Sequence, residues 1–177
     1  MESKERDVAT FEKIDSVTVG AGGSASVVFN SIPQTYTDLV IKYSTRCSAS
    51  GPFQSVFFRF NGDSSAVYSG HRFWYYSGFA SNSYASGTSN NLNWTTGNTA
   101  TANTFGTGEI TVLNYRSSSG KSFSSELMSE NNSASEVVTG IASGLYSTSS
   151  AITSLTLIGE TSFMQHSTFT LYGIKNS

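Results

Sequence analysis

Thr168-Phe169-Thr170-Leu171-Tyr172-Gly173-Ile174-Lys175, close to the C-terminus, alternates between two kinds of residue. Successive side chains of a strand point to opposite faces, so Phe169, Leu171 and Gly173 share one side and Thr168, Thr170 and Tyr172 the other. The spacing predicts a strand with Phe169 and Leu171 in a core and Tyr172 facing away from it. Upstream, Ile152, Leu155, Leu157 and Phe163 supply the apolar positions of a companion strand and its exit. Gly159-Glu160-Thr161-Ser162 and Gln165-His166-Ser167 read as polar, turn-prone connections. Ile152 to Lys175 is thus expected to be a closing strand pair that seals the first strands of a β-sandwich.

The rest of the chain carries the same signal. Val17 and Val19 share a face in a first strand over residues 11–19, and Gly20-Ala21-Gly22-Gly23 marks a turn. Val27-Val28-Phe29 and the alternation of Leu39, Ile41 and Tyr43 predict two more strands. Phe53 to Phe60 is the most aromatic, with Val56, Phe58 and Phe60 on one face. Asn61-Gly62-Asp63 follows as a hairpin-type turn. Val67 to Tyr76 is a fifth strand. Ser77 to Thr104 has too few aliphatic residues to show a period and reads as an excursion with one short strand near Leu92 to Trp94. Strands over 102–115, 122–129 and 136–146 lead to the closing pair. The expected architecture is all-β, a jelly-roll-like antiparallel sandwich of about eight to ten strands. Residues 1–10 form a charged N-terminal arm and residues 11–177 the sandwich domain.

Composition agrees. The chain has 177 residues, enough for one core. Charged residues make up 12%, aromatic residues 13%, and about three residues in ten are Ser or Thr. Hydroxyls and amides solubilise such a surface, and helix-forming Lys, Glu and Arg are scarce. The net charge of −2 argues against a nucleic-acid partner. Cys47 is the single cysteine, so no internal disulfide framework forms. No apolar run reaches the length of a membrane span, and the charged opening Met1 to Asp7 does not read as a signal peptide. Assembly in a cytoplasm is the expectation.

Chemistry-bearing motifs are sparse. His71 and His166 lie far apart, and no His-x-His, His-Glu-x-x-His or Cys-x-x-Cys occurs, so no metal or other cofactor is expected. Gly20-x-Gly22-Gly23 precedes a strand, which removes the phosphate-cradle reading. Asn61 and Asp63 carry oxygens suited to Ca²⁺, but an Asx turn around Gly62 accounts for them more simply. The carboxylates Asp38, Asp63, Glu109, Glu126, Glu130, Glu136 and Glu160 lack a flanking motif. The reading is therefore non-enzymatic. The best candidate for partner contact is His71-Arg72-Phe73-Trp74-Tyr75-Tyr76 with Phe79, Tyr84 and Trp94, because aromatic and Arg side chains dominate interface energetics. Alternation sends either Phe73 and Tyr75 or Trp74 and Tyr76 outward. Arg72, Trp74, Tyr76, Phe79, Tyr84 and Trp94 are taken as the contact set, joined by Lys4, Glu5 and Arg6 of the arm. The same aromatics beside Asn and Ser also suit a sugar platform.

Three stretches carry a family resemblance: Ser31-Ile32-Pro33-Gln34-Thr35-Tyr36-Thr37-Asp38-Leu39-Val40-Ile41, Phe58-Arg59-Phe60-Asn61-Gly62-Asp63 with Tyr68-Ser69, and Ser167 to Lys175. Over residues 31–175, apart from the excursion, they resemble a β-sandwich module of tailed-bacteriophage virion proteins. The resemblance implies a virion structural role without catalytic residues or cofactor. A free-standing chain with a charged arm suits a capsid cement or decoration protein. It would bind the major capsid protein and itself, as a homotrimer around a threefold axis. The alternative is a tail or tail-fibre module that meets other tail proteins or a host surface polysaccharide.

Overall fold

The computed structural model describes residues 10–129, 131–132 and 137–175, and no side-chain placement is given for residues 92 and 93. Twelve strands follow one another: β1 (Thr10–Thr18), β2 (Ser24–Phe29), β3 (Asp38–Thr45), β4 (Phe53–Phe60), β5 (Tyr68–Tyr75), β6 (Phe79–Gly87), β7 (Asn90–Thr96), β8 (Gly106–Val112), β9 (Lys121–Ser129), β10 (Val138–Tyr146), β11 (Leu155–Phe163) and β12 (Thr168–Lys175). They form an eight-stranded sheet in the order β1-β12-β3-β8-β9-β10-β5-β6 and a four-stranded sheet in the order β2-β11-β4-β7. All named pairings are antiparallel. The protein is an all-β sandwich.

The pairings have a simple logic. β4 pairs with β7, β3 with β8, β2 with β11 and β1 with β12, the ladder of one long two-stranded ribbon. The ribbon wraps, so that β12 also meets β3 and β11 also meets β4. Two hairpins are spliced into it, β5-β6 between β4 and β7, and β9-β10 between β8 and β11. Both extend the large sheet beyond β8.

Alternation places the core between the sheets. Val56, Phe58 and Phe60 of β4 face Leu39, Ile41, Ile110 and Leu171 of the large sheet, and all are essentially inaccessible to solvent. Aromatic edges knit the layers: Phe58 to Phe123 at 5.1 Å and Phe163 to Phe169 at 4.9 Å between ring centroids. Each fully buried side chain of this size contributes about 1.5–3 kcal/mol by leaving water. On β12, Phe169 and Leu171 are buried as expected. Tyr172 is half-buried on the opposite face, stacked on Phe11 at 4.6 Å.

Three expectations are revised. The closing segment is no hairpin: β11 belongs to the small sheet and β12 to the large one. Gly159-Glu160-Thr161-Ser162 is no turn either. It continues β11 through a register shift between Ile158 and Phe163. The chain changes sheet at Met164 to Ser167, where His166 adopts φ 73° and the Ser167 N–H donates to the Met164 carbonyl at 3.1 Å. The strand count also exceeds the expected eight to ten, because the stretch read as an excursion holds both β6 and β7. β6 is exposed along most of its length, and β7 buries the polar Asn90, Thr95 and Thr96, so neither sequence shows an apolar period. Of the expected arm, residues 1–9 lie outside the described residues, and Thr10 already belongs to β1.

Two of the resemblance stretches meet in space. Leu39 pairs with Gly173 and Asp38 with Ile174. The Tyr36 ring lies on Gly173, where an added Cβ would stand 2.3 Å from Tyr36 Cγ. Tyr36 donates to Glu12 Oε2 at 2.9 Å, and the Lys175 ammonium sits 5.3 Å from the Tyr36 ring centroid. The Asp38 carboxylate accepts from the Asn114 N–H at 2.7 Å.

Candidate functional site

The parity of β5 decides the site. Tyr68 is sealed in the core, so residues 68, 70, 72 and 74 face inward, and His71, Phe73 and Tyr75 face out. This reverses the outward set chosen from sequence. Arg72 and Trp74 turn towards β7, where Trp94 meets them. The Arg72 guanidinium lies 5.0 Å from the Trp74 ring and 5.1 Å from the Trp94 ring, and the two indoles meet edge to face at 5.2 Å. Arg72 Nη1 donates to the Asn91 carbonyl at 3.2 Å, and the Tyr84 hydroxyl bonds the Asn90 Oδ1. Burial lowers the Arg72 pKa and raises that of Tyr84. Partly desolvated cation–π contacts are worth roughly 0.5–2 kcal/mol each. Arg72, Trp74, Tyr84 and Trp94 therefore act inside the molecule, bracing the β5-β6 hairpin against the small sheet. Lys4, Glu5 and Arg6 lie outside the described residues.

The outward set makes the surface that matters. Phe73 is 55% exposed, Ile141 62% and Phe79 92%. Register brings them together: Phe73 stands opposite Ile141 of β10, and Tyr75 opposite Phe79 of β6. His71 stacks on Phe73 at 4.7 Å, and Tyr75 meets Phe79 edge to face at 5.2 Å. Phe79, one of the expected contact residues, is thus exposed on this surface. Tyr76, also exposed, packs instead against Phe53 at 5.0 Å. Phe73 and Tyr75 were the other alternation choice, and Ile141 escaped notice because Gly140, Ala142, Ser143 and Gly144 around it dilute the apolar signal.

Beside this ridge the large sheet carries a shallow trough of about 420 Å³, walled by His71, Phe73 and Ile141 and floored by Ser124 and Ser143. Glu109 and Glu126 stand directly opposite each other along its far side. Lys42 neutralises Glu109 at 3.1 Å, whereas Glu126 has no ion pair among the described residues. The trough thus offers one apolar wall, hydroxyls and a free carboxylate.

Other polar groups are engaged in holding the fold. Asn61 Oδ1 accepts from the Thr153 and Ser154 N–H groups at 2.8 and 3.2 Å, and Nδ2 donates to the Ala151 carbonyl. Asp63 accepts from Ser65 and from the Tyr146 hydroxyl, and the Ser65 bonds hold its carboxyl below the usual range. Asn61 and Gly62 both have positive φ, the signature of the expected turn, which here joins two sheets. Among the described residues no three His, Cys, Asp or Glu side chains gather as metal ligands. Sequence reasoning also missed two buried cations. Arg46, 5% exposed, donates through Nη1 to the Thr101 and Thr104 carbonyls and through Nη2 to those of Asn98 and Ala100. Lys121 is sealed and donates to the Thr148 and Ser150 carbonyls. Burial lowers the pKa of both. The sequence matches no protein-family model, no curated protein and no solved structure.

Proposed function

We propose that this chain is a non-enzymatic virion structural protein of a tailed bacteriophage, a cement or decoration protein that binds the major capsid protein and further copies of itself. It would be assembled in the host cytoplasm and work in the virion. The observation that carries the reading is the contiguous ridge of Phe73, Tyr75, Phe79 and Ile141, apolar and open to solvent. Such a patch on a chain of this size marks a protein interface. The wrapped ribbon with its two spliced hairpins supports the reading, because a ribbon wound in this way resembles a jelly roll, an architecture common in capsid domains. So does the junction of Tyr36 with Gly173 and Lys175, which gives the two resemblance stretches one structural purpose. The test is a particle assembled without this protein. It should lose resistance to heat and internal pressure, and regain it when the purified chain is added but not when a Phe73→Ser, Phe79→Ser variant is added. Particles as robust without the protein as with it would overturn the reading.

A second reading, a tail or tail-fibre module for a host surface polysaccharide, is favoured by the trough. A pyranose ring could lay its C–H face on Phe73 while its hydroxyls donate to Glu126 and exchange bonds with Ser124 and Ser143. The purified protein would then compete for adsorption to host cells, and Glu126→Gln would weaken that competition. Full adsorption in the presence of excess protein would remove this reading.

A further inference from the structure

β6 and β1, the two edge strands, are the most open strands of the large sheet. Among the described residues β6 pairs only with β5, at the end of the sheet, so the N–H and C=O groups of alternate residues point away from the strands described. Its faces are open as well. Phe79 to Ser83 are exposed on both sides of the sheet, and only Tyr84 and Gly87 are half-buried. Such an edge is a template for another strand, and proteins that stay monomeric usually blunt it with charges, Pro or a bulge.

The opposite edge of the same sheet is blunted in this way. β1 carries Glu12, Lys13 and Asp15 and breaks register between Lys13 and Asp15. β6 carries no charge, and its own register break is confined to the end beyond Tyr84. No Asp, Glu, Lys, Arg or His occurs from Phe73 to Gly108, and no Pro lies in that stretch. The β5-β6 ladder runs regularly from Tyr75 opposite Phe79 to Gly70 opposite Tyr84, and shifts register only beyond it. The regular, uncharged part of the edge is therefore Phe79 to Tyr84.

We infer that β6 is a self-association edge, where a second copy of this chain adds its own β6 antiparallel and joins two eight-stranded sheets into one of sixteen. The absence of charge admits this occupant, and self-complementarity favours it. An antiparallel copy of an uncharged strand sets no like charges opposite one another, and a twofold contact uses the same patch on both partners. Geometry gives the register. A twofold axis perpendicular to the sheet keeps each face on its own side, so residues opposite each other must share a face. Within the regular segment this allows a centre on Ser81 or Asn82, and the Ser81 register is the one that keeps Phe79 paired inside that segment. Phe79 then stands opposite Ser83 of the second copy, a small residue that leaves room for its ring. The row Ile141, Phe73, Ser81 continues into its own mirror sequence across the axis. The two exposed ridges become one apolar surface, which no monomer presents. This inference is independent of where in a virion the protein sits, and it sets a dimer against the trimer expected from sequence.

The experiment is sedimentation of the full chain from roughly 1 to 300 µM, a range suited to a contact built on one strand. The wild type should pass from monomer to dimer. Ser81→Lys with Ser83→Lys should weaken the dimer by at least about tenfold, as should Ser81→Glu with Ser83→Glu, because like charges then meet across the axis. An equimolar mixture of the two variants should recover the dimer, an outcome that neither misfolding nor a contact elsewhere can produce. As a second readout, β6 amides of the wild type should gain hydrogen-exchange protection as concentration rises. A monomer throughout the range, a trimer, an open polymer, or a dimer indifferent to both variants would each overturn the inference.

Discussion

At the residue scale, stability rests on polar groups as well as on the aromatic core. Arg46 holds four loop carbonyls between residues 98 and 104 with one guanidinium. A methionine there fills the space but leaves the carbonyls without a donor, so Arg46→Met should cost at least about 2 kcal/mol in urea unfolding. Arg46→Lys should recover only part of it, because a single ammonium cannot span the same fork. Neighbouring Cys47 tests burial differently. Its thiol is sealed, and desolvation pushes its pKa from 9.0 to about 12. Iodoacetamide at pH 8 should leave the native protein unmodified and alkylate it fully in denaturant. Between those two pKa values the unfolded chain has released a proton that the folded chain keeps, so this contribution to stability is present below pH 9 and lost as pH rises towards 12. The penalty of Cys47→Ala should therefore shrink from pH 8 to pH 11. Neither role was legible in the sequence. The partners of Arg46 arrive from a loop some fifty positions downstream, and nothing local to Arg46 announces them.

At the scale of elements, what the sequence displayed was burial, and what it hid was partnership. Alternation identified β4 and β12 with their buried faces, because apolar residues dominate one face of each. It could not tell that β11 and β12 lie in different sheets, since a turn that changes sheet and one that closes a hairpin use similar polar residues. It also passed over β6, whose hydroxyl and amide side chains carry no apolar period, and placed β7 only as a short strand near Leu92 to Trp94. The parity of β5 stayed open for a related reason. Both of its faces are aromatic, and only the burial of Tyr68 separates them. β12 offers a sharp test of partnership. Gly173 is required because the Tyr36 ring occupies the space a side chain would need. Gly173→Ala should displace the ring, break the Tyr36–Glu12 hydrogen bond and destabilise the fold by about 1–3 kcal/mol. In a Tyr36→Ala background the same change should cost far less. A double-mutant cycle in urea measures the difference, and additive penalties would mean that Tyr36 is not the obstacle.

Over the whole molecule, the wrapped ribbon brings Thr10 beside Lys175, so the β1-β12 ladder joins segments separated by almost the full chain. Non-local pairing of this kind places folding in the millisecond-to-second range. It also grades local stability. β3, β8 and β12 each have a strand on both sides, and their inner faces, at Leu39, Ile41, Ile110, Phe169 and Leu171, are sealed. Their amides can exchange only through near-global opening. β6 has one neighbour, two open faces and a bracing cluster anchored through β5 and Tyr84 rather than through its own exposed residues. Its hydrogen bonds can open without disturbing the core. Native-state hydrogen exchange in dilute protein should therefore rank β3, β8 and β12 slowest and residues 79–83 fastest. Trp94→Ala, which removes one wall of the Arg72 cage, should speed exchange in β5 and β6 while leaving β3 and β12 unchanged. Equal acceleration in every strand would show instead that the hairpin and the ribbon open as one cooperative unit, and that the spliced strands are as much part of the core as the ribbon they interrupt.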